Sequence, residues 1–200
     1  MSLSLDFIEK INHLYQSFIK YDATQCDRLK RYRNIEPDSA QFLAMQIRIQ
    51  NSKRILEIGT STGYSTLWLA DAAQVTQGQI TTLEIEEQRT LQAKNYAKEF
   101  AVDDVIEFWV GDAYDFLIQS HEKYDFILLD AERDQYLKYW PHLSKMINEN
   151  GGVLFVDNVI SHANEVKNFI QEVKKDQRFL STTLSLGAGL FMVTRKDYLQ

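Results

Sequence analysis

The chain has 200 residues, of which 44% are apolar and 25% charged, as in folded globular domains and unlike disordered proteins. Its 28 acidic and 22 basic residues give a formal net charge of -6, which argues against an extended phosphate-binding face. The lone Cys26 excludes an internal disulfide, and the start of the chain lacks the features of a signal peptide. No apolar run is long enough to cross a bilayer, so we expect a soluble, cytoplasmic protein without membrane contact.

Two amphipathic helices are predicted at the N-terminal end. The first has apolar residues at three- and four-residue spacing, namely Ile8, Ile11, Tyr15 and Phe18, and the second follows Pro37 and carries Phe42, Met45 and Ile49. The apolar face of the first helix exceeds what one small domain must cover, which predicts a homodimer interface. Packing of that face on the domain's own sheet is the alternative.

From residue 54 onward, apolar segments alternate with helical stretches. The predicted strands are 54–58, 79–83, 105–110, 124–129 and 152–156, followed by 180–184 and 190–194. The predicted helices are 63–73, 86–100, 132–147 and 164–175. Apolar strands that alternate with helices indicate a doubly wound α/β fold, in which a mostly parallel sheet is covered on both faces. We expect one domain over 1–200, with a helical segment at 1–36, a core at 37–200 and a closing hairpin.

The loop after the first predicted strand contains Gly59 and Gly63, with Ser61 and Ser65 at the start of the next helix. A glycine directly after a strand allows a tight turn close to a ligand, although a plain tight turn is the alternative. Glu84 ends the second strand, where an acid can accept hydrogen bonds from ribose hydroxyls. Loop and acid together favour a nucleoside cofactor. The missing third glycine disfavours a dinucleotide and therefore a nicotinamide oxidoreductase.

Acidic and amide side chains follow the fourth and fifth predicted strands. Asp130 ends the fourth strand, and Asp157 and Asn158 end the fifth. Consecutive strands of such a sheet lie side by side, so these groups meet at the carboxyl edge, where ligands bind. Two carboxylates and an amide oxygen suit an octahedral Mg²⁺. Capping of the next helix is the alternative for Asp157 and Asn158, and the combination with Asp130 favours the metal.

These motifs, in this order, resemble those of the cation-dependent S-adenosylmethionine O-methyltransferases, the group of catechol and caffeoyl-CoA O-methyltransferases. The resemblance covers roughly residues 35–195. The residues that carry it are 56–65, Glu84, 111–113, 129–132 through Tyr136, 151–152, 157–159 and 187–190. It implies a class I methyltransferase fold, Rossmann-like, with a seven-stranded sheet whose last strand is antiparallel.

The resemblance also implies roles for individual residues. The methionine end of the cofactor would lie near Ile35, Glu57, Gly59, Ser61 and Ser65, its ribose at Glu84, and its adenine beside Asp112 and Ala113. Asp130 would serve both the cofactor's amino group and the metal, which Asp157 and Asn158 complete. The cofactors implied are S-adenosylmethionine and Mg²⁺, or another divalent cation such as Mn²⁺ or Ca²⁺.

Arg133 is a departure from the family, which commonly has lysine there as general base. Arginine is no base near neutral pH, so the sequence favours acceptor ionisation by the metal, with Arg133 stabilising the oxyanion. A surface ion pair of Arg133 with Asp134 or Glu132 is the alternative. His162 is a weaker candidate for a substitute base.

The predicted reaction is therefore metal-assisted O-methylation of a small, hydroxylated, catechol-like acceptor, with Asp130 and Arg133 as the catalytic residues. A second hypothesis is methylation of a hydroxylated tRNA base of the 5-hydroxyuridine type, supported only by Arg28, Lys30, Arg31 and Arg33. A solvated basic segment explains those cations more simply. A third hypothesis, prompted by Arg133, is a non-catalytic cofactor-binding protein.

Overall fold

A computed structural model describes residues 5–27 and 31–196. Arg28 and Lys30 of the basic segment lie outside the described residues. In order, the elements are α1 (Leu5–Thr24), α2 (Pro37–Gln50), β1 (Arg54–Ile58), α3 (Tyr64–Thr76), β2 (Gln79–Glu84), α4 (Glu87–Glu99), β3 (Ile106–Val110), α5 (Ala113–Gln119), β4 (Phe126–Leu129), α6 (Tyr136–Met146), β5 (Val153–Val156), α7 (Ala163–Lys175), β6 (Phe179–Leu184) and β7 (Leu190–Arg195).

The strands form one seven-stranded sheet in the order β3-β2-β1-β4-β5-β7-β6. The first five strands in this order pair in parallel with one another, and β7 is antiparallel to both β5 and β6. This confirms the predicted doubly wound, seven-stranded methyltransferase sheet and its closing hairpin. The chain changes winding direction between β1 and β4, so the loops that follow these strands diverge and leave a crevice at their carboxyl ends.

Alternate strand residues are buried on opposite faces of the sheet. Phe126 and Leu128 of β4 pack in the apolar cluster that contains α2 and α3, whereas Ile127 and Leu129 pack in the cluster of α6 and α7. Because both faces are covered, β4 and β5 have no exposed position. A sheet fixed on both sides holds its strand ends rigidly, and the predicted site residues follow those ends.

Helix α1 packs on the chain's own core. Ile11 and Phe18 are buried in the cluster that contains α2 and α3, and Ile8 and Tyr15 pack against it. Ring contacts of Phe7 with Trp68 and of Tyr15 with Tyr64 join α1 to α3. Most of this face is therefore covered by the chain's own core, as the alternative expected, although the ring contacts are with α3 and not with the sheet. The homodimer itself stays a prediction, and the buried residues of α1 do not support it.

Several boundaries differ from those expected from the sequence. Residues Arg133–Gln135 form a 3-10 turn, so the helix predicted over 132–147 begins at Tyr136. Helix α3 continues three residues beyond the predicted end, to Thr76, and the short helix α5 was missed. Tyr124 makes an isolated bridge with Ile147, so β4 has four residues. Over residues 5–27 and 31–196, no helix combines the length and the apolar character that a membrane span requires.

Candidate active site

The loops after β1, β2, β4 and β5, with the segment that precedes α2, enclose a cavity of about 880 Å³. Most of the predicted site residues line it, and two of them do not. Those that line it are Ile35, Gly59, Ser61, Ser65, Glu84, Asp112, Ala113, Asp130, Arg133, Asn158 and His162. The two that lie behind its wall are Glu57 and Asp157, both buried.

The glycine loop is fixed by a close backbone approach. Gly59 has φ 107°, and a Cβ on it would lie 2.1 Å from the carbonyl oxygen of Asp130. Only glycine therefore lets the loop after β1 pass so near the loop after β4. Ser61 follows with φ 47°, also left-handed, and turns its backbone N–H toward β2. The glycine thus brings the two loops together as well as making the turn.

The Glu84 carboxylate is held by backbone amides at the end of β2. It accepts one hydrogen bond from the Ser61 N–H at 2.8 Å and another from the Glu86 N–H at 3.0 Å. A carboxylate offers about four acceptor positions, so two positions remain for a ligand's hydroxyl groups. The side chain lies in the cavity wall beside the exposed Ile85. Its orientation is therefore set before any ligand binds.

Glu57 lies behind the glycine loop instead of on the cavity. Its carboxyl accepts hydrogen bonds from the hydroxyls of Thr66 at 2.5 Å and Thr82 at 2.6 Å. Complete burial raises the pKa of Glu57 to about 7, although these hydroxyls favour the charged form. This side chain joins β1, β2 and α3 behind the loop, where it interacts with Ser65 and Asp130 without lining the cavity itself.

Asp112 and Ala113 stand at the start of α5. The Asp112 carboxylate accepts a hydrogen bond from the Tyr114 N–H at 2.9 Å and so caps this helix. Both residues line the far end of the cavity, beyond Glu84. Helix α5, which the sequence analysis missed, therefore fixes Asp112 in the cavity wall.

Asp130, Asp157 and Asn158 converge as expected. Asp130 N–H donates to the carbonyl of Ile58, and Asp157 N–H donates to that of Leu129, so both acids follow directly on paired strands. Asn158 has φ 65°, and this left-handed turn brings its side chain back beside Asp157. Its amide donates to Asp130 Oδ1 at 3.1 Å and to Asp157 Oδ2 at 3.0 Å.

This acid pair lacks sufficient compensating charge. Burial raises the pKa of both Asp130 and Asp157, and the charge of Asp130 raises the pKa of Asp157 further. Among the described residues, Asp157 Oδ1 is buried without a hydrogen-bond partner. Across the described ranges, no group of three or more His, Cys, Asp or Glu residues could hold a metal ion. The groups that could bind a metal here are two carboxylates and one amide. The oxygen and nitrogen of the Asn158 amide are assigned by hydrogen bonding, and rotation of the amide by half a turn would point its oxygen at the two carboxylates.

Arg133 lines the cavity close to these acids. Its Nε donates to Glu165 Oε2 at 2.8 Å, and its side chain is 10% exposed. The alternative interpretation of Arg133, a surface ion pair with Asp134 or Glu132, was therefore wrong about the partner, which is Glu165. The Glu165 carboxylate raises the pKa of Arg133 despite partial burial, so the guanidinium stays charged. The charge of Arg133 in turn lowers the pKa of Asp130.

His162 and the arginines of the basic segment also lie at this end of the cavity. His162 stands at the N-cap position of α7 without a capping hydrogen bond from its side chain, and its Nδ1 is 2.8 Å from the Ser161 hydroxyl. Arg31 and Arg33 line the cavity, where Arg33 pairs with Glu132 at 2.9 Å. Of the four basic residues, Arg33 is thus a half-buried part of the cavity wall, and Arg31 borders the cavity with an exposed side chain.

Sequence reasoning missed several residues of the cavity. Tyr32 and Asn34 line it from the segment before α2, and Tyr139 lines it from α6. Glu165 holds Arg133 from α7. Nothing in the spacing marks these positions, since each reaches the cavity through a loop or helix whose path depends on packing.

Several known proteins are similar to this chain in sequence and in structure. A family model described as O-methyltransferase matches residues 17–196. The caffeoyl-CoA O-methyltransferase of Medicago sativa is 30% identical over 182 residues, which cover 79% of this chain and 73% of that protein. The catechol O-methyltransferase of Niastella koreensis is 26% identical over 175 residues, covering 82% and 78%. The O-methyltransferase from Bacillus cereus, solved in complex with SAH, superposes with a TM-score of 0.78 at 25% identity and covers 94% and 91%.

Proposed function

The chain belongs to the O-methyltransferase family and is an S-adenosylmethionine-dependent O-methyltransferase, and from this premise we propose that it methylates a small catechol-like acceptor with the help of a divalent cation. The observation that carries the proposal is the pair of the half-buried Asp130 and the buried Asp157 at the cavity, in which Asp157 Oδ1 has no hydrogen-bond partner among the described residues and both pKa values stay raised although the charge of Arg133 lowers them. Methylated acceptors differ among relatives, whose names include caffeoyl-CoA and catechol.

The glycine loop and Glu84 support the cofactor's place in the cavity. Ser61 and Ser65 would bind the methionine end together with Ile35, and Glu84 has two acceptor positions left for ribose hydroxyls. Asp112 and Ala113 would flank the adenine. The residues fit this cofactor because charged and polar side chains line the same cavity as apolar ones such as Ile35, Leu83 and Ile85.

The cation would be held by Asp130, Asp157 and Asn158. Two buried carboxylates side by side repel each other unless a positive charge lies between them, and the Asn158 amide supplies only a partial one. Hard oxygen ligands suit Mg²⁺, and also Mn²⁺ or Ca²⁺. When bound, a divalent cation would lower the pKa of an acceptor hydroxyl and hold that oxygen in place.

The chain's own residues would align and dehydrate the reacting groups. The methyl group passes from the sulfonium sulfur to the acceptor oxygen, so one C–S bond breaks as one C–O bond forms. The acceptor's proton would pass to solvent water before or during this step. The buried loops after β1 and β4 would fix the two substrates in line, which is the main contribution that such a transfer needs.

Arg133 would stabilise the acceptor oxyanion as a fixed cation. Its guanidinium is oriented by Glu165 and stays protonated, so it cannot accept the acceptor's proton. Its position at the Asp130 end of the cavity is where negative charge would develop. Arg133 is therefore assigned to charge stabilisation, and proton removal to the ionising effect of the cation.

A methyl-transfer screen tests the proposal. The protein is incubated with S-adenosylmethionine and catechols, hydroxycinnamoyl thioesters or hydroxylated tRNA, with Mg²⁺ or with EDTA, and methylated products are identified by mass spectrometry. We expect turnover of a catechol-like compound that EDTA abolishes and Mg²⁺ restores. Turnover unaffected by EDTA would contradict the role of the cation, and methylation of tRNA alone would favour the RNA hypothesis.

A further inference from the structure

A short backbone segment of the cavity wall, residues 32–34, is attached to α1 by one carboxylate. We call these residues the strap. Asp22 Oδ1 accepts a hydrogen bond from the Tyr32 N–H at 2.7 Å, and Asp22 Oδ2 accepts one from the Arg33 N–H at 3.1 Å. One side chain thus fixes two successive peptide groups. Hydrogen bonds to a charged acceptor are roughly twice as strong as neutral ones.

The strap in turn contacts the glycine loop. The Ser61 hydroxyl donates to the Tyr32 carbonyl at 3.1 Å, and the Thr62 hydroxyl donates to Asn34 Oδ1 at 3.4 Å. The backbone N–H of Ser61 donates to Glu84 Oε2. An unbroken series of hydrogen bonds therefore runs from Asp22 through Tyr32 and Ser61 to Glu84.

The strap's conformation needs this support. Arg33 has φ 53°, a left-handed conformation that costs a non-glycine residue free energy. The Tyr32 ring stacks on Tyr21 with centroids 4.2 Å apart, which holds the side chain but leaves the peptide groups free to rotate. The Asp22 carboxylate binds the N–H groups of both peptides, whereas the Ser61 hydroxyl binds only the Tyr32 carbonyl.

Asp22 is not needed to attach α1 to the core. Phe7, Ile11, Leu14 and Phe18 are buried on that helix, whereas Asp22 is half-buried near its end. Removal of the carboxylate would therefore release the strap while α1 stays packed. This separates an effect on the strap from an effect on folding.

We propose that Asp22 is a positioning residue for the cofactor, which acts through the strap to hold Ser61, and through Ser61 the carboxylate of Glu84, in the orientation that binds S-adenosylmethionine. This inference rests on the proposed placement of the cofactor in the cavity. It gives α1 a role in cofactor binding from outside the cavity, since Asp22 does not line it.

Calorimetric titration with S-adenosylhomocysteine tests the inference on Asp22→Asn, with Glu9→Gln as the control. Asn keeps the shape but places an N–H₂ group against one of the two backbone donors. Glu9 is exposed on the same helix, and its substitution removes the same charge. We expect the Kd of Asp22→Asn to rise about fivefold to tenfold, and that of the control to stay within about twofold. With saturating S-adenosylmethionine, kcat should be unchanged, so the effect falls on KM for the cofactor.

Two further measurements keep the inference testable if Asp22→Asn folds poorly. In a double-mutant cycle with Ser61→Ala, the double variant should lose less binding free energy than the two single variants lose together, because both substitutions break the same series of hydrogen bonds. In the unaltered protein, S-adenosylhomocysteine should slow tryptic cleavage after Arg33 at least tenfold.

The outcomes separate the two proposals. If the unaltered protein does not bind S-adenosylhomocysteine, the cofactor placement is wrong. If it binds, and Asp22→Asn binds equally well or cleavage after Arg33 is not slowed, then the role of Asp22 is wrong while the proposed function stands.

Discussion

At the tips of β1 and β2, the carboxylates of Glu57 and Glu84 each accept two hydrogen bonds from neighbouring hydroxyl or amide groups, whereas at the tips of β4 and β5 Asp130 and Asp157 share the amide of Asn158. In the first half, neutral hydroxyl and amide groups hold the two carboxylates and, within the described chain, only Glu57 Oε1 is without a partner, whereas in the second half two carboxylates face each other and the pair is short of positive charge. The carboxylate of Glu84, which is already held in place, suits a ligand that has hydroxyl groups. A charge-deficient half suits a cation.

The largest expected effect comes from the charge-deficient half. We predict that Asp157→Ala lowers kcat/KM on the order of 10³-fold, because the cation's contribution to the barrier is several kcal/mol. Initial rates of methyl transfer and calorimetry with Mg²⁺ measure it. Asp103→Asn, an exposed acid near β3, should leave both unchanged. Full activity of Asp157→Ala, still sensitive to EDTA, would mean that the cation binds elsewhere.

The second-largest effect is expected at Gly59, which brings the loops after β1 and β4 together. We predict that Gly59→Ala lowers the free energy of unfolding by about 3 kcal/mol, because a Cβ meets the Asp130 carbonyl and the φ is left-handed. The control is Gly151→Ala, which has φ 85° but no atom within 4 Å of the added Cβ. It should lose only about 1 kcal/mol in urea denaturation. Equal losses would show that conformation alone, and not the approach of the two loops, requires Gly59.

The buried acid Glu57, in the first half of the edge, gives a pH dependence. The pKa of Glu57 is raised from 4.5 to about 7, so the folded state binds this proton more tightly than the unfolded state. The stabilisation is present below pH 4.5 and is lost as the pH rises to about 7, by roughly 2–3 kcal/mol for this group. We predict that Glu57→Gln removes that slope, so that its stability relative to the unaltered protein increases between pH 5 and pH 8.

Urea denaturation at several pH values checks this prediction. The exposed Glu99→Gln is the matched control and should follow the unaltered protein at every pH. If the difference between Glu57→Gln and the unaltered protein is the same at pH 5 and pH 8, the carboxyl does not titrate in this range on folding.

The smallest effect is expected at Arg133. We predict that Arg133→Ala lowers kcat about tenfold, about 1.4 kcal/mol, while the Kd for S-adenosylhomocysteine stays unchanged, because the guanidinium acts on the acceptor oxygen. Arg133→Lys keeps the charge and should recover most of the rate. Steady-state kinetics and calorimetry measure both. A loss of cofactor affinity in Arg133→Ala would mean that this side chain contacts the cofactor instead of the acceptor.

Much of the fold was predictable because it depends on local patterns. Runs of apolar residues such as those around Phe126 and Phe155 predicted buried parallel strands, and the structure confirms them. The convergence of Asp130 with Asp157 and Asn158 was predictable as well, because the carboxyl ends of neighbouring parallel strands meet at one edge. Short elements such as α5 were missed, since seven residues carry little periodicity.

Contacts between distant segments were not predictable in the same way. The apolar face of α1 predicted burial correctly but not what covers it, because amphipathicity does not specify a partner surface. Arg133 pairs with Glu165 across 32 residues instead of with its sequence neighbours. Glu57 was placed with the cofactor by its motif, whereas side-chain alternation along β1 turns it behind the loop.

The sequence by itself determined the strands, the order of the motifs and the kinds of groups that end each strand, because hydrophobic periodicity and residue chemistry are local properties. Only the tertiary structure decided which of those groups share a cavity, which carboxylates are satisfied and which are left with excess charge. The physical reason is that burial and hydrogen-bond partners depend on segments such as Asp22 and Tyr32, or Asp130 and Asn158, that come together only when the sheet and its helices have packed.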